Sequence, residues 1–362
     1  MDISLFVERM LSTAVARRAS DIHLQPKEDH GLILFRIDGS LIDWRTCTSE
    51  QLLAIISKLK FIAHLDIGEK RYPQDGSLHQ LINQRPVNIR LSTLPTIYGE
   101  KLVLRLFPEE QEQLSLAKLG FTHKQLELVE KMLQLEQGLL LVTGPTGAGK
   151  TTTIYKMLEK LAEQQGKNIV SLEDPVEMRF SRLTQAQVNP ANSFTFATGL
   201  RAILRQDPDI IFVGEIRDEE TANIAIRAAL TGHFVLSTLH TGTSVGAIVR
   251  LLQMGIKPYY LASALTGVIA QRLFRLRCSY CREGCYACFF TGYKGRLGVF
   301  EVLPINDAMR KEIVQGGEES RLRARLLEQK IPPLSHQMKR HLATQATTVE
   351  ECTSFLLAEE WF

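Results

Sequence analysis

Residues 139–151 constrain this chain more than any other stretch. An apolar run, Leu139-Leu140-Leu141-Val142-Thr143, leads into Gly144-Pro145-Thr146-Gly147-Ala148-Gly149-Lys150-Thr151, and a helical pattern continues from 151 to 163. This is G-x-x-x-x-G-K-[ST] in the strand–loop–helix setting that gives the pattern its meaning. The glycines let the backbone turn tightly and aim its N–H groups inward, and the helix N-terminus favours an anion. Lys150 is placed for the β- and γ-phosphates of ATP, and Thr151, with Thr152 beside it, offers a hydroxyl to Mg2+. The fold class follows: α/β, with a mostly parallel sheet whose ligand binds beyond the carboxyl ends of the strands.

Three further apolar runs, 169–172, 210–213 and 234–238, are each followed by a helical pattern. Strands buried on both faces by helices read this way. Two of the runs end in acids, Glu173-Asp174-Pro175-Val176-Glu177 and Gly214-Glu215-Ile216-Arg217-Asp218. One carboxylate is expected in the magnesium shell and one on the attacking water. Glu215 is assigned the first task and Glu173 the second, with the identity of the base left open between them. The run at 234–238 ends in Leu239-His240-Thr241, which places His240 as a γ-phosphate sensor; His233, just before the run, is balanced between function and structure.

Upstream, residues 1–19 have amphipathic helical spacing. Strand signals around Ile22–Leu24 and Ile33–Ile37 meet the turn Asp38-Gly39, a helix is expected over about 50–65, and strands return at 87–91 and 102–106. The organisation read from this is an α+β domain at 1–107, a linker at 108–120 opening on the polar stretch 108–113, an ATPase core at 121–275, and a cysteine-bearing and helical region at 276–362. Cys278-x-x-Cys281 and Cys285-x-x-Cys288 have the pairing of tetrahedral zinc ligands, with a short three-residue spacer; a group of reduced thiols is the other reading. A net charge of +3 on 362 residues points to no direct nucleic-acid contact. The N-terminus lacks the pattern of a signal peptide, and no run approaches the roughly 20 apolar residues of a membrane span, so a cytoplasmic chain is expected.

These elements in this order resemble the type II secretion and type IV pilus traffic ATPase superfamily. Leu172-Glu173-Asp174-Pro175-Val176-Glu177 is similar to its aspartate box, Asp207-Pro208-Asp209 through Asp218 to its Walker B region, and Thr231-Gly232-His233 to His240-Thr241 to its histidine box. Ser20-Asp21-Ile22-His23-Leu24, Arg36-Ile37-Asp38-Gly39, Pro73-Gln74-Asp75-Gly76 and Leu91-Ser92-Thr93-Leu94-Pro95-Thr96 extend the likeness into the first domain. The resemblance implies a small PAS-like first domain on a RecA-like P-loop core, a homohexamer, and an inner-membrane platform protein as partner. It also implies a place at the inner face of the membrane, and phosphate-neutralising arginines at Arg90 and Arg105 in the first domain and Arg201, Arg205, Arg217 and Arg250 in the core. Two positions depart: Ser77 stands where the family often has arginine, and Asn88 is uncharged. The compact cysteine cluster, and a chain that begins almost at Ser20, resemble the ComGA-type competence ATPases of Gram-positive bacteria, which power a pseudopilus for DNA uptake. A retraction or secretion motor of the same superfamily, and an ATP-binding scaffold that does not hydrolyse, are the alternatives.

Overall fold

Two hydrophobic periods alternate along the chain, and each builds one sheet. The computed structural model describes residues 2–108, 115–163, 166–281 and 283–353. Residues 109–114, which hold most of the polar stretch read as a linker, lie outside them. The chain divides into two compact units, Met1–Gln113 and Leu114–Phe362.

In the first unit, helix α1 (Ile3–Ala16) precedes strands β1 (Ala19–Pro26), β2 (His30–Ile37) and β3 (Ser40–Thr48). Helix α2 (Ser49–Ile62) and strands β4 (Asp75–Ile82), β5 (Arg85–Thr96) and β6 (Gly99–Pro108) follow. All neighbours are antiparallel, in the order β3-β2-β1-β6-β5-β4. Alternation sorts the residues by face. Ile22, Leu24, Phe35, Leu104 and Leu91 share the buried face. Helix α2 lies on that face: a Cβ on Gly31 would stand 2.7 Å from Leu52 Cβ. The opposite face carries Arg36, Asp21, Arg105 and Arg90 in cross-strand register.

The second unit begins with a short 3-10 turn, Leu116–Leu119, and helix α3 (His123–Met132). Then come β7 (Gly138–Thr143), α4 (Lys150–Ala162), β8 (Ile169–Glu173), β9 (Thr184–Gln187), α5 (Phe196–Ile203), β10 (Ile210–Val213) and α6 (Glu219–Leu230). They are followed by β11 (Phe234–Leu239), α7 (Ser244–Gln253), α8 (Pro258–Ala264), β12 (Leu265–Arg277), β13 (Tyr293–Pro304), α9 (Asp307–Val314), α10 (Glu319–Glu328) and α11 (Leu334–Ala343). The sheet order is β13-β12-β7-β11-β10-β8-β9, parallel except where β13 pairs with β12. The apolar runs read from the sequence are β7, β8, β10 and β11, the four central strands. Their alternate residues feed two cores: Leu140, Val142, Ile169 and Phe212 pack with α3 and α4, while Leu139, Val170, Ile211 and Val213 pack with α5 to α8. Pairing of β12 with β7 ends at Ala270, whereas its pairing with β13 runs on to Arg277 as a two-stranded ribbon. The cysteines sit at the tip of that ribbon, between its two strands. Among the described residues no helix is long and apolar enough to cross a membrane.

Candidate functional site

The phosphate loop leaves β7 at Thr143 and enters α4 at Lys150. Two of its glycines have no substitute. Gly149, at φ +85°, caps α4 in a left-handed conformation, and a Cβ on Gly144 would stand 2.5 Å from the carbonyl oxygen of Gln271 on β12. Lys150 is 8% exposed and donates from Nζ to the carbonyls of Gly144 (2.7 Å) and Pro145 (3.2 Å). Thr151 and Thr152 follow, half-buried, in the first turn of α4.

The histidine loop is tied to the same strand end. Thr143 Oγ1 accepts from the Thr241 amide (2.9 Å) and lies 2.7 Å from its hydroxyl. His240 thereby comes to Lys150, Nδ1 to Nζ at 3.5 Å, and turns Nε2 to Glu215 Oε2 at 3.5 Å. Glu215 follows Gly214, whose carbonyl accepts from the Thr238 hydroxyl (2.7 Å). Glu215 Oε1 in turn accepts from Arg217 Nη2 (2.5 Å), and Arg217 Nη1 lies 3.9 Å from Asp174. A continuous file of polar and charged side chains, Lys150–His240–Glu215–Arg217–Asp174, therefore lies along the carboxyl ends of the parallel strands.

Burial is the largest influence on Lys150 and pulls it down to about 8, aided by Arg272 and opposed by Glu215 and Glu177. His240 is lowered, first by burial and then by the Lys150 charge. It is therefore neutral near pH 7 and able to accept a hydrogen bond. Arg217 is raised by its bond to Glu215.

Glu173 stands apart from this file. Its carboxylate, 4% exposed, accepts from Tyr155 of α4, from Ser171 (2.6 Å) and from Gln185 of β9 (3.2 Å). Arg201 and Arg205 sit on and just beyond α5, where Arg201 pairs with Glu220 (2.6 Å) and Arg205 donates to the Arg201 carbonyl (2.8 Å). His233 lies at the amino end of β11, with Nδ1 3.0 Å from the Ala228 carbonyl, on the edge of the sheet away from the loop. A cavity of about 870 Å³ opens against loop residues 145–148 and is lined by Arg250, Arg272 and Arg323. Arg272 and Arg323 were missed in the sequence, and Glu177 was read only as a member of the acidic run 173–177, without a role of its own. Arg272 reaches the site only through the β12–β7 pairing and Arg323 from α10, whereas Glu177 stands in the aspartate box in plain view.

The four clustered cysteines place their Sγ atoms within 4.8 Å of one another, with separations of 4.0 Å (278 to 285), 3.5 Å (281 to 288) and 3.8 Å (285 to 288). Tetrahedral zinc at about 2.3 Å from each sulfur requires sulfurs about 3.8 Å apart. The donor set fits that ion despite the short spacer. Burial raises the Cys288 thiol, but bonds from Cys285, Cys281 and Gly292 outweigh it and bring it down to about 6.

A family described as "Type II/IV secretion system protein" matches residues 2–354. "Type II secretion system protein HxcR" of Pseudomonas aeruginosa is 44% identical over 354 residues, 95% of this chain and 75% of that protein. The chain belongs to the type II/IV secretion system ATPase family. "Type II secretion system ATPase E" of Vibrio cholerae is 42% identical over 341 residues, 87% of this chain and 68% of its own. Among solved structures, the pilus retraction motor PilT with bound ADP superposes with a TM-score of 0.68 at 28% identity, covering 96% of each chain. The ATPase DotB of Legionella pneumophila, at 20% identity and a TM-score of 0.78 over 98% of this chain and 96% of its own, shares the fold. The family member described here is an ATP hydrolase, with the phosphate loop intact and its lysine in contact with the histidine loop.

Proposed function

We propose that this ATPase is the motor of a filament-assembling machine of the type II secretion kind. It works as a homohexamer at the cytoplasmic face of the inner membrane, bound to a membrane platform protein, and uses hydrolysis to move its first unit relative to its second. The file Lys150–His240–Glu215–Arg217–Asp174 carries this reading, in a chain whose relatives are named as type II secretion proteins. The loop residues 144–152 hold the phosphates, and Lys150 sits on the β- and γ-oxygens. Thr151 and Glu215 hold Mg2+ and its water. His240 senses the γ-phosphate, and Arg217 steadies Glu215. Glu173 is the second acid offered to the water; its three donors leave it little room for that task. Arg90, Arg105, Arg201 and Arg205 are the arginines this reading assigns to neutralising phosphate charge. One Zn2+ in the cysteine cluster fixes the tip of the β12–β13 ribbon, so purified protein carries about one zinc per chain and Cys281→Ser loses it.

A competence pseudopilus is the second reading, favoured by the two Cys-x-x-Cys units set only three residues apart. Deleting the chain in its own cell and restoring it as wild type or Lys150→Ala tests both. Loss of protein secretion, rescued by wild type alone, supports the first reading; loss of DNA uptake with secretion intact supports the second. If both processes survive deletion, the motor assignment fails.

A further inference from the structure

The loop that carries His240 crosses one row of the second unit's sheet. Leu239 of β11 is the register partner of Thr143 on β7, Thr143 is that of Ala270 on β12, and Ala270 that of Glu301 on β13. Register partners turn their side chains to the same face. On that face Leu239 shares a core with Val245, Ile248 and Leu251 of α7. Residues 240–243 leave the row at Leu239 and enter α7 at Ser244.

Two side chains of the row hold this short strap. Thr143 holds Thr241, accepting from its amide at 2.9 Å. Glu301 holds the far end: its Oε1 accepts from the Ser244 amide at 2.9 Å and from the Ser244 hydroxyl at 2.5 Å. These are interior bonds, with Ser244 fully buried and Glu301 4% exposed. Ala270, between the two holding residues, carries only a methyl group, which leaves the longer Glu301 side chain room to reach the start of α7. A carboxylate that accepts from a first-turn amide is favoured by the helix dipole. The helix does not need it as a cap, because Thr243 already accepts from the Gly246 amide at 3.0 Å. The bond to Glu301 therefore fixes where α7 begins rather than whether it forms. His240 stands between Leu239, locked in the ladder, and these two holds, and its side chain meets Lys150 and Glu215 of the nucleotide site.

We propose that Glu301 is a positioning residue for ATP recognition: by holding Ser244 it keeps the histidine loop taut across the row, so that His240 stands beside Lys150 where the γ-phosphate arrives. This rests on the reading of His240 as the γ-phosphate sensor, and the test separates the two. Binding of ADP and of the slowly hydrolysed analogue ATPγS, and steady-state ATPase, are measured on the full chain for Glu301→Ala, His240→Ala and the double variant, with thermal unfolding alongside. ADP lacks the γ-phosphate, so a sensor defect is read as a selective loss. His240→Ala is expected to weaken ATPγS roughly tenfold, the scale of one hydrogen bond to a charged group, with ADP affinity unchanged. Glu301→Ala is expected to show the same selective loss, smaller in size, with kcat lowered in step. The double variant should be no weaker than His240→Ala, because Glu301 acts through the histidine. Wild-type ATPγS affinity and kcat in His240→Ala overturn the underlying reading. With His240→Ala impaired, three results overturn the role of Glu301 alone: wild-type behaviour of Glu301→Ala, equal losses of ADP and ATPγS affinity, or additive losses in the double variant. Ser244→Ala removes the hydroxyl and leaves the amide in place. A selective loss of ATPγS affinity there supports positioning, and wild-type binding and kcat overturn it, even if Glu301→Ala fails to fold.

Discussion

The ends of β8 and β10 look alike in the sequence and differ in the fold. Both strands are buried, parallel and adjacent, and both lead to a glutamate. Glu173 is still inside the ladder, opposite Gln187 of β9. Alternation therefore sends its side chain to the α4 face with Ile169 and Ser171, where Tyr155 meets it. Glu215 lies two residues beyond Val213, the last ladder residue of β10, past a glycine held by Thr238. Freed from the ladder, its carboxylate reaches His240 and Arg217. An acid at the last residue of a strand braces the sheet; an acid two residues past the strand's end faces the nucleotide loop.

The largest expected effect breaks this contrast or establishes it. Glu215→Gln should lower turnover by two to three orders of magnitude, the scale of losing a preorganised polar group at the reacting centre, while ATP still binds. Phosphate release at wild-type rate in this variant would dissolve the comparison. Glu173→Gln is expected to act on stability first. Its amide nitrogen would face groups that already donate, at a cost of about 1–3 kcal/mol, read as a lower unfolding midpoint with a smaller loss of turnover than Glu215→Gln. An unchanged midpoint with the greater loss of turnover would exchange the two roles. Tyr155→Phe removes one of three donors to Glu173 and should cost about 1 kcal/mol in chemical denaturation, leaving turnover within a few-fold. A collapse of activity there would make the Glu173 brace part of the chemistry.

The smallest effect is a proton. Lys150 titrates at about 8 instead of its ordinary 10.5, so the free protein loses this charge as pH rises through 8. Bound ATP favours the charged form and raises the value again. Binding should therefore take up most of a proton near pH 9 and none near pH 6, and affinity should fall from pH 8 upward. Calorimetry in two buffers of different ionisation enthalpy reads this directly. Glu215 is among the groups holding Lys150 up, so Glu215→Gln should move the uptake to lower pH, whereas Glu173→Gln should leave it in place. Identical uptake profiles in the two variants would deny the distinction at its electrostatic root.

The phosphate loop was legible because its conformation is local: Gly144 and Gly149 stand where side chains meet β12, and the strand and helix on either side declare themselves by period. Strands β7, β8, β10 and β11 were legible because burial on both faces leaves runs that are mostly apolar, broken only by small hydroxyl side chains and the terminal Glu173. Legibility ended where partners are distant. Strand β9, Thr-Gln-Ala-Gln, has no apolar signature and exists by pairing with β8. The difference between Glu173 and Glu215 turns on where a ladder stops, a matter of one or two residues that neighbouring strands decide. The family resemblance could single out Arg201 and Arg205 by position, but not reveal that Glu220 on α6 holds Arg201.

The β12–β13 ribbon extends from Gln271, whose carbonyl lies against Gly144, to Arg277 beside the first cysteine. Arg275 braces it, bonded to Glu351 and stacked 4.2 Å from the centre of the Tyr293 ring. Seven residues at 3.3 Å each make an outrigger of roughly 20 Å. A stiff arm of that length converts a tilt of about 5° at its root into roughly 2 Å of travel at its tip. The root of that arm lies against the phosphate loop and its tip carries the cysteine knuckle, so by lever geometry alone a rotation of β12 beside the loop is largest at the cysteines.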